Sequence, residues 1–346
     1  MPAAVPLPRP PRSARRGSGG ITLNDVARLA GVSAITVSRA LNTPDLVSVE
    51  TLAKVRDAVA RTGYVPNLLA GGLASNRSRL VAALIPTIAG SVFLETVQAL
   101  TDTLAAAGCQ LMLGQSGYDG AREEALVDAI IGRRPDGIVL TGLLRSAAAR
   151  RRLLASRIPV VETWDLTPTP IDMLVGFSHE KVGARAAEHL HAQGYRSPAI
   201  VTADDHRAGL RRAGFEARMR ELGVKKVPVC VVAAPSTLGN GRAGLRQLLA
   251  GRGKVDAVFC SSDVLAHGVI TEALAQGLAV PRELGVMGFG DLGFSAHIHP
   301  SLSTAQVDGA AIGAQAARFI LDRVEGRDPG PRVRDIGFAI VAREST

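Results

Sequence analysis

Residues 22–42 read TLNDVARLAGVSAITVSRALN, and the order of residue types in this stretch specifies two short helices joined by a tight turn. Thr22 is a good helix N-cap, and Asp25 three residues on can bond back to it, as in a capping box. Val26, Ala27 and Ala30 place small apolar side chains on the inner face of a first helix. Gly31 follows the last periodic position, where a left-handed residue commonly ends a helix. Val32 fills the turn. Ser33 then caps a second helix whose Val37 and Leu41 point inward at i and i+4. Ala34, Ile35, Thr36, Ser38, Arg39 and Asn42 are left for the outer faces. Hydroxyls and an amide suit phosphates, an Arg suits a guanine edge, and small apolar groups suit thymine methyls. A plain helical hairpin explains any one of these signals. Cap, Gly turn, inward set and outward set agree here on a DNA-reading helix-turn-helix.

The charge distribution supports the same end of the chain. Of 346 residues, positions 1–79 hold 11 Lys and Arg against 4 Asp and Glu, whereas the remaining 267 hold 29 against 27. Basic charge is thus concentrated where phosphate neutralisation needs it. Aromatic residues make up only 3% of the chain, so its cores must be built from Ala, Val, Leu and Ile. Cys109, Cys230 and Cys260 are widely spaced, and no CxxC or Cys/His pattern accompanies them. Neither a disulfide framework nor a metal site is expected. Residues 1–20 are rich in Pro, Arg, Ser and Gly and lack an apolar core segment, so they read as a disordered basic arm rather than a secretory signal. No apolar run approaches membrane-spanning length. A cytoplasmic protein with no membrane partner is expected.

Residues 48–62 form a third predicted helix, capped by Ser48, with Leu52, Val55 and Val59 on one face and Gly63 at its end. A helix-turn-helix headpiece over 21–63 follows. The segment 64–79, YVPNLLAGGLASNRSR, reads as a linker holding a short helix from Leu68 to Leu73 weakened by Gly71 and Gly72. Two glycines cost about 2 kcal/mol relative to alanine, and so short a helix should not persist alone. From residue 80 the pattern becomes strand–helix alternation, with apolar runs at 80–86, 109–114, 137–142, 158–163, 173–177, 199–203, 227–233, 257–261 and 284–290. Continuous runs suit parallel strands covered on both faces. Amphipathic helices lie between most of them; the first places Phe93, Val97, Leu100 and Leu104 on one side. The architecture is α/β and doubly wound, in two lobes with a ligand at the strand carboxyl ends between them.

The string DVARLAGVSAITVSRALN, followed by GYVPNLLAGGLA, resembles the lactose-repressor (LacI) family of bacterial transcription regulators over residues 20–343. The resemblance implies an all-α helix-turn-helix headpiece, a hinge helix and a two-lobed, periplasmic-binding-protein-like α/β effector domain of doubly wound parallel sheets. It implies a homodimer that binds double-stranded operator DNA and a small sugar-type effector. The lobes are expected to comprise 80–177 plus 292–326 and 178–291 plus 327–343, within an effector-binding and dimerisation domain spanning 80–346. By position, Ala34, Ile35 and Arg39 face base edges. Ser33, Thr36, Ser38, Asn42, Ser48, Thr51, Tyr64 and Asn67 hold phosphates. Leu73, with Ala70 beside it, is the wedge for the central minor groove. The implied effector contacts are Thr87, Phe93, Glu162, Trp164, Arg207, Arg211, Ser262, Asp263 and Asp291. Arg211 stands three residues before a Gly-aromatic pair. The position after Gly288-Phe289, often Asp in the family, is Gly290 here, with Asp291 one step later. A cleft that keeps cations and loses a carboxylate favours an anionic ligand. VMGFGDLGFSAHIHPSLST and PVVETWD are similar to the gluconate-repressor branch, which points to a sugar acid such as gluconate. Trp164 either stacks on that ligand or serves as a core aromatic.

Other readings fare worse. Gly288, Gly290 and Gly293 match GxGxxG after a strand, but Pro300 and the His297-Ile298-His299 run do not open the helix a dinucleotide needs. His297 and His299 lack a third ligand, and His189 and His191 read as solvated. No Ser-His-Asp order or nucleophile elbow stands out, so no enzyme, cofactor or metal is expected. The lobes alone would permit a sugar-binding receptor of a transport system; the basic headpiece opposes it. The tail after 326 has no leucine heptads, so a dimer is expected rather than a coiled-coil tetramer.

Overall fold

A computed structural model of the chain describes residues 20–65, 77–88, 91–117, 119–251 and 253–346. It forms two compact units, Met1–Asn76 and Arg77–Thr346. In the first, α1 (Leu23–Ala30), α2 (Ala34–Asn42) and α3 (Val49–Thr62) close a small core. Asp25 Oδ2 accepts from Thr22 N at 2.9 Å and from Thr22 Oγ1 at 2.6 Å. Ser33 Oγ accepts from Thr36 N at 3.1 Å, and Ser48 Oγ from Thr51 N at 3.3 Å. These bonds occupy N–H groups that a helix start otherwise leaves unpaired. Gly31 turns the chain between α1 and α2 at φ 66°, a conformation costly for a side chain with Cβ. Val26, Val37 and Val55, one from each helix, are fully buried with Ala27, Ala40 and Ala58. Ala40 takes the deeper position expected for Leu41, which instead covers the edge of this core. The hinge positions Asn67, Ala70, Gly71, Gly72 and Leu73 lie outside the described residues.

The second unit contains two six-stranded sheets. Leu80–Ile85 (β1), Gln110–Gln115 (β2), Gly137–Thr141 (β3), Val160–Thr163 (β4) and Met173–Gly176 (β5) belong to the first. Pro198–Ala203 (β6), Val229–Val232 (β7), Ala257–Cys260 (β8), Gly285–Gly290 (β9) and Ser303–Gln306 (β10) belong to the second. Val333–Asp335 (β11) and Ala339–Val341 (β12) each close one sheet. Strand orders are β11-β5-β4-β3-β1-β2 and β12-β10-β9-β8-β6-β7. All neighbours run parallel except β10 and β12. The central strands are buried almost throughout, as continuous apolar runs require. The edge strand β2 alternates instead between exposed and half-buried positions.

The lobe boundaries differ from expectation at two of three crossings. β10 pairs with β9, so the chain leaves the second lobe after residue 306 rather than at 291. β11 pairs with β5, so the return falls after 335 rather than at 326. Both strands are short, and STAQ and VRD carry no apolar run to betray them. Helices Leu94–Ala106 (α4), Gly120–Ile131 (α5) and Ala147–Ser156 (α6) flank the first sheet. His179–Ala192 (α7), His206–Glu221 (α8), Leu238–Leu249 (α9) and Asp263–Ala275 (α10) flank the second. Gly309–Val324 (α11) returns to pack on α4 and the first sheet. In both sheets the order reverses beside the first strand, between β1 and β3 and between β6 and β8. Such switch points leave a crevice at the strand carboxyl ends, where α/β folds bind ligands.

Candidate functional site

Two surfaces hold the chemistry. On the headpiece, α2 presents Ile35 at 72% exposure, and Leu46 is equally exposed. Arg39, one turn further on, is exposed and enters no ion pair among the described residues. Asn42 Nδ2 donates to Ser38 O at 2.9 Å. Thr36 and Ser33 share a hydroxyl contact of 2.9 Å at the start of α2, and Ser48 Oγ donates to Thr51 Oγ1 at 2.9 Å at the start of α3. Ala34 is half-buried against the core, as is Tyr64. Capped helix starts with free amides and hydroxyls suit phosphate oxygens.

The second surface is the interlobe cleft at the switch points, enclosing about 730 Å³ with its solvent-open space included. The first lobe contributes Thr87 beyond β1, Phe93 before α4 and Trp164 beyond β4. The second contributes Arg207 and Arg211 from α8, Ser261 and Ser262 beyond β8, and Phe289 from β9. His179, the first residue of α7, joins them. Trp164 lines the cleft and packs as a core aromatic: it is only 2% exposed, lies edge-on to Phe93 and Phe177, and donates Nε1–H to Thr96 Oγ1 at 3.1 Å.

Arg211 organises the floor. Its Nη2 donates to Ser261 O at 2.9 Å and its Nη1 to His179 Nδ1 at 2.8 Å. A guanidinium only donates, so His179 Nδ1 is an acceptor and its proton sits on Nε2, which donates to Trp164 O at 2.8 Å. Burial first, then the charges of Arg211 and Arg207, hold His179 well below its usual pKa, so the ring is neutral. Burial lowers Arg211 to about 10, leaving it charged near neutrality. Its Cζ lies 3.9 Å from the Phe289 ring centroid, and that of Arg207 lies 5.0 Å from Phe93. Arg211 Nε and Arg207 Nη1 are buried donors without a protein acceptor. Unpaired buried donors are costly, and both residues line this cleft.

Three anticipated effector contacts are not in this cleft. Asp263 is fully buried: Oδ1 accepts from Thr304 Oγ1 at 2.6 Å, and Oδ2 from Ser295 Oγ at 2.7 Å and Leu292 N at 2.8 Å. It ties the loop after β9 to α10. Asp291 pairs with Arg343 at 2.7 Å and accepts from Gln306 at 2.9 Å. Glu162 turns into the first lobe, where Oε2 accepts from Ile171 N at 2.7 Å beside Arg150. Nearby donors occupy the carboxylates of Asp263 and Asp291, whereas Glu162 Oε1 is buried without a hydrogen-bond partner among the described residues, 3.7 Å from Arg150 Nη1. No helix follows the glycines after β9, so the dinucleotide pattern has no structural counterpart. His189, expected to be solvated, is half-buried against Thr346 Oγ1 at 2.9 Å. Among the described residues no His, Cys, Asp and Glu cluster is arranged for a metal, and no helix is long and apolar enough to cross a membrane.

Sequence reasoning missed His179 and Asp165. Asp165 is 3% exposed, and burial raises its pKa to about 6 against the lowering charges of Arg207, His206 and Arg211, with Asp205 pushing it up. Because the folded value lies above the unfolded 3.8, the folded state holds a proton that the unfolded state releases. This stability is present below pH 4 and lost as pH rises through 6. The stability difference between wild type and Asp165→Asn should therefore fall by about 1 kcal/mol from pH 5 to 7. Urea denaturation at the two pH values checks it; a pH-independent difference contradicts the raised acid.

Comparison with known proteins follows the same division. The model of bacterial regulatory proteins of the lacI family matches residues 22–67, and that of the periplasmic binding protein-like domain matches 187–346. The HTH-type transcriptional regulator GntR of Pseudomonas aeruginosa is 40% identical over 333 residues, covering 96% of this chain and 97% of that one. A lacI-family transcriptional regulator from Silicibacter pomeroyi has a solved structure with TM-score 0.88 and 33% identity, covering 94% of this chain and 99% of its own. The lac repressor dimer bound to operator and an anti-inducer superposes with TM-score 0.81 over 94% of this chain and 99% of that one. At 24% identity that likeness speaks for the fold.

Proposed function

The chain belongs to the lacI family of bacterial regulatory proteins, and from that premise we propose that it is a homodimeric repressor whose operator affinity is set by a sugar acid, such as gluconate, bound between the lobes. Its helix-turn-helix makes it a DNA-binding transcription regulator, as its relatives are. The effector class rests on one observation above the rest: Arg211 Nε is a buried donor awaiting an acceptor, in a cleft where the Arg211 and Arg207 guanidinium groups each lie over an aromatic face. A carboxylate supplies such an acceptor and offsets the cationic charge of the cleft. The sequence similarity to the gluconate-repressor branch supports the same class.

The effector contacts in this reading are Thr87, Phe93, Trp164, Arg207, Arg211 and Ser262, with His179 and Phe289 added. Ligand closure changes the relative orientation of the lobes, and with it the spacing of the paired hinges. The coupling is the ligand's differential affinity for two states. Isothermal titration with gluconate and with glucose tests the class: the acid should bind at least about tenfold more tightly. Equal affinities would refute an anion site.

On DNA, Ala34, Ile35 and Arg39 read bases in a major groove, and Ser33, Thr36, Ser38, Asn42, Ser48, Thr51 and Tyr64 hold phosphates. Arg39→Ala should relax preference at one operator position by about 1–3 kcal/mol, while a phosphate contact would weaken all sequences alike. Binding selection on a randomised inverted repeat reads the difference. A transport receptor would give no symmetric footprint on any duplex.

A further inference from the structure

A second chamber lies at the carboxyl ends of β1 and β3, bounded by Pro86, Ser116, Thr141, Gly142, Asp165 and His206. Arg207 and Asp205 line both chambers. Asp165 faces this second chamber with a carboxylate that accepts no hydrogen bond among the described residues. Among the described residues the nearest charged or titratable group within 4 Å is His179 Nε2, 3.6 Å from Oδ1, and that proton is already directed at Trp164 O; the charges of Arg207, His206 and Arg211 act on the carboxylate without bonding it. Such a carboxylate in a residue 3% exposed is unusual, because buried acids are normally bonded or paired.

Gly142 fixes where Asp165 and Arg207 meet. A Cβ at that glycine, which adopts φ +105°, would lie 3.4 Å from Asp165 Oδ2 and 3.6 Å from Arg207 Nη1. The two atoms thus flank one small space, yet they form no ion pair. On one side is an acceptor without a donor; on the other is a buried donor without an acceptor. A carboxylate does not fit both, since Asp165 would repel it. An ammonium does not fit both, since Arg207 would. An alcohol does: its O–H donates to Asp165 and its lone pairs accept from Arg207.

We propose that Asp165 and Arg207 form a hydroxyl-reading clamp in the second chamber, so that a polyhydroxy acid lies with its carboxylate at Arg211 and its distal hydroxyls between Asp165 and Arg207. This rests on the sugar-acid reading above and adds orientation and length. The ligand must carry hydroxyls away from its acid end, and a short hydroxy acid fills only the first chamber. Gly142 keeps the space open, because a side chain there would need a strained backbone and would face both clamp atoms.

The test compares two probes on the full-length protein by isothermal titration at pH 7.5. D-Gluconate carries a chain of hydroxyls beyond its carboxylate; D-glycerate keeps the carboxylate and lacks that chain. Asp165→Ala should weaken gluconate by about 10- to 100-fold, the range for a hydrogen bond to a charged group, and glycerate by less than about threefold. Asp165→Asn keeps the shape and one acceptor and should lose less. Its melting temperature, alongside that of the alanine variant, establishes that the fold is intact. Equal losses for both acids would overturn the clamp, making Asp165 a prop for the cationic floor. No loss for either would place the hydroxyls elsewhere. Failure of wild type to bind gluconate would refute the effector class before any variant is compared, and the clamp with it.

Discussion

Replacing Arg211 with alanine is expected to abolish the response to a sugar acid while leaving operator affinity within about twofold. Arg211 is 5% exposed, and its guanidinium is held over Phe289, with Nη1 and Nη2 committed to His179 and Ser261 and Nε unpaired among the described residues. A bound carboxylate would gain a charge-assisted bond worth about 1.5–3 kcal/mol, plus the field of a cation in a poorly solvated cleft. Loss of both should weaken binding at least 100-fold. Alanine also orphans Ser261 O and His179 Nδ1, so some stability is lost as well. Arg211→Lys separates the effects, because an ammonium keeps the charge and loses the planar fork; it should recover part of the affinity. The headpiece closes its own core from α1, α2 and α3, so operator binding without ligand serves as the internal control. A folded Arg211→Ala protein with unaltered gluconate affinity in calorimetry would remove Arg211 from the site.

How much of this was legible in the sequence depends on whether each feature is local. The helix-turn-helix is a run of adjacent signals: Thr22, Gly31, Ser33, Ser48 and Gly63 each act on backbone groups a few residues away, and the structure uses each as read. The nine long apolar runs emerged as strands because a doubly covered strand must be apolar throughout. β10 and β11 escaped because STAQ and VRD carry no apolar run, and β12 because only three residues form the strand. Carboxylates were the least legible. Asp263, Asp291 and Glu162 stand after or within strands as cleft ligands would, yet nothing local announces Thr304, Arg343 or Ile171 as their partners. Asp165 looks no different in the sequence, and only the fold leaves it without a donor. The chain is read more readily for backbone geometry than for which polar group remains unsatisfied.

The same distinction sets the largest expected effect on stability. Gly183 on α7 and Gly214 on α8 let these two helices touch backbone to backbone. A Cβ at Gly183 would stand 1.9 Å from Arg211 O and 2.8 Å from Phe215 N, and one at Gly214 2.0 Å from Glu180 O. The obstructing atoms are main chain and cannot rotate aside, so the helices must part. Alanine normally improves a helix by about 1 kcal/mol over glycine. Overpacking of this kind costs about 3 kcal/mol or more, so the clash wins. Gly183→Ala should lower the unfolding free energy by about 2 kcal/mol or more. It should also weaken sugar-acid binding, since α7 carries His179 and α8 carries Arg207 and Arg211, and parting them stretches the 2.8 Å contact between His179 and Arg211. Gly209→Ala provides the contrast: it lies on the exposed side of α8 with nothing within 4 Å of its Cβ, so only the propensity gain remains and stability should rise by up to about 1 kcal/mol. Urea denaturation of the pair decides the matter. If both substitutions stabilise, the close approach of α7 and α8 is not what sets the cationic floor; opposite signs at two glycines 26 positions apart in one helix pair are what direct backbone contact requires.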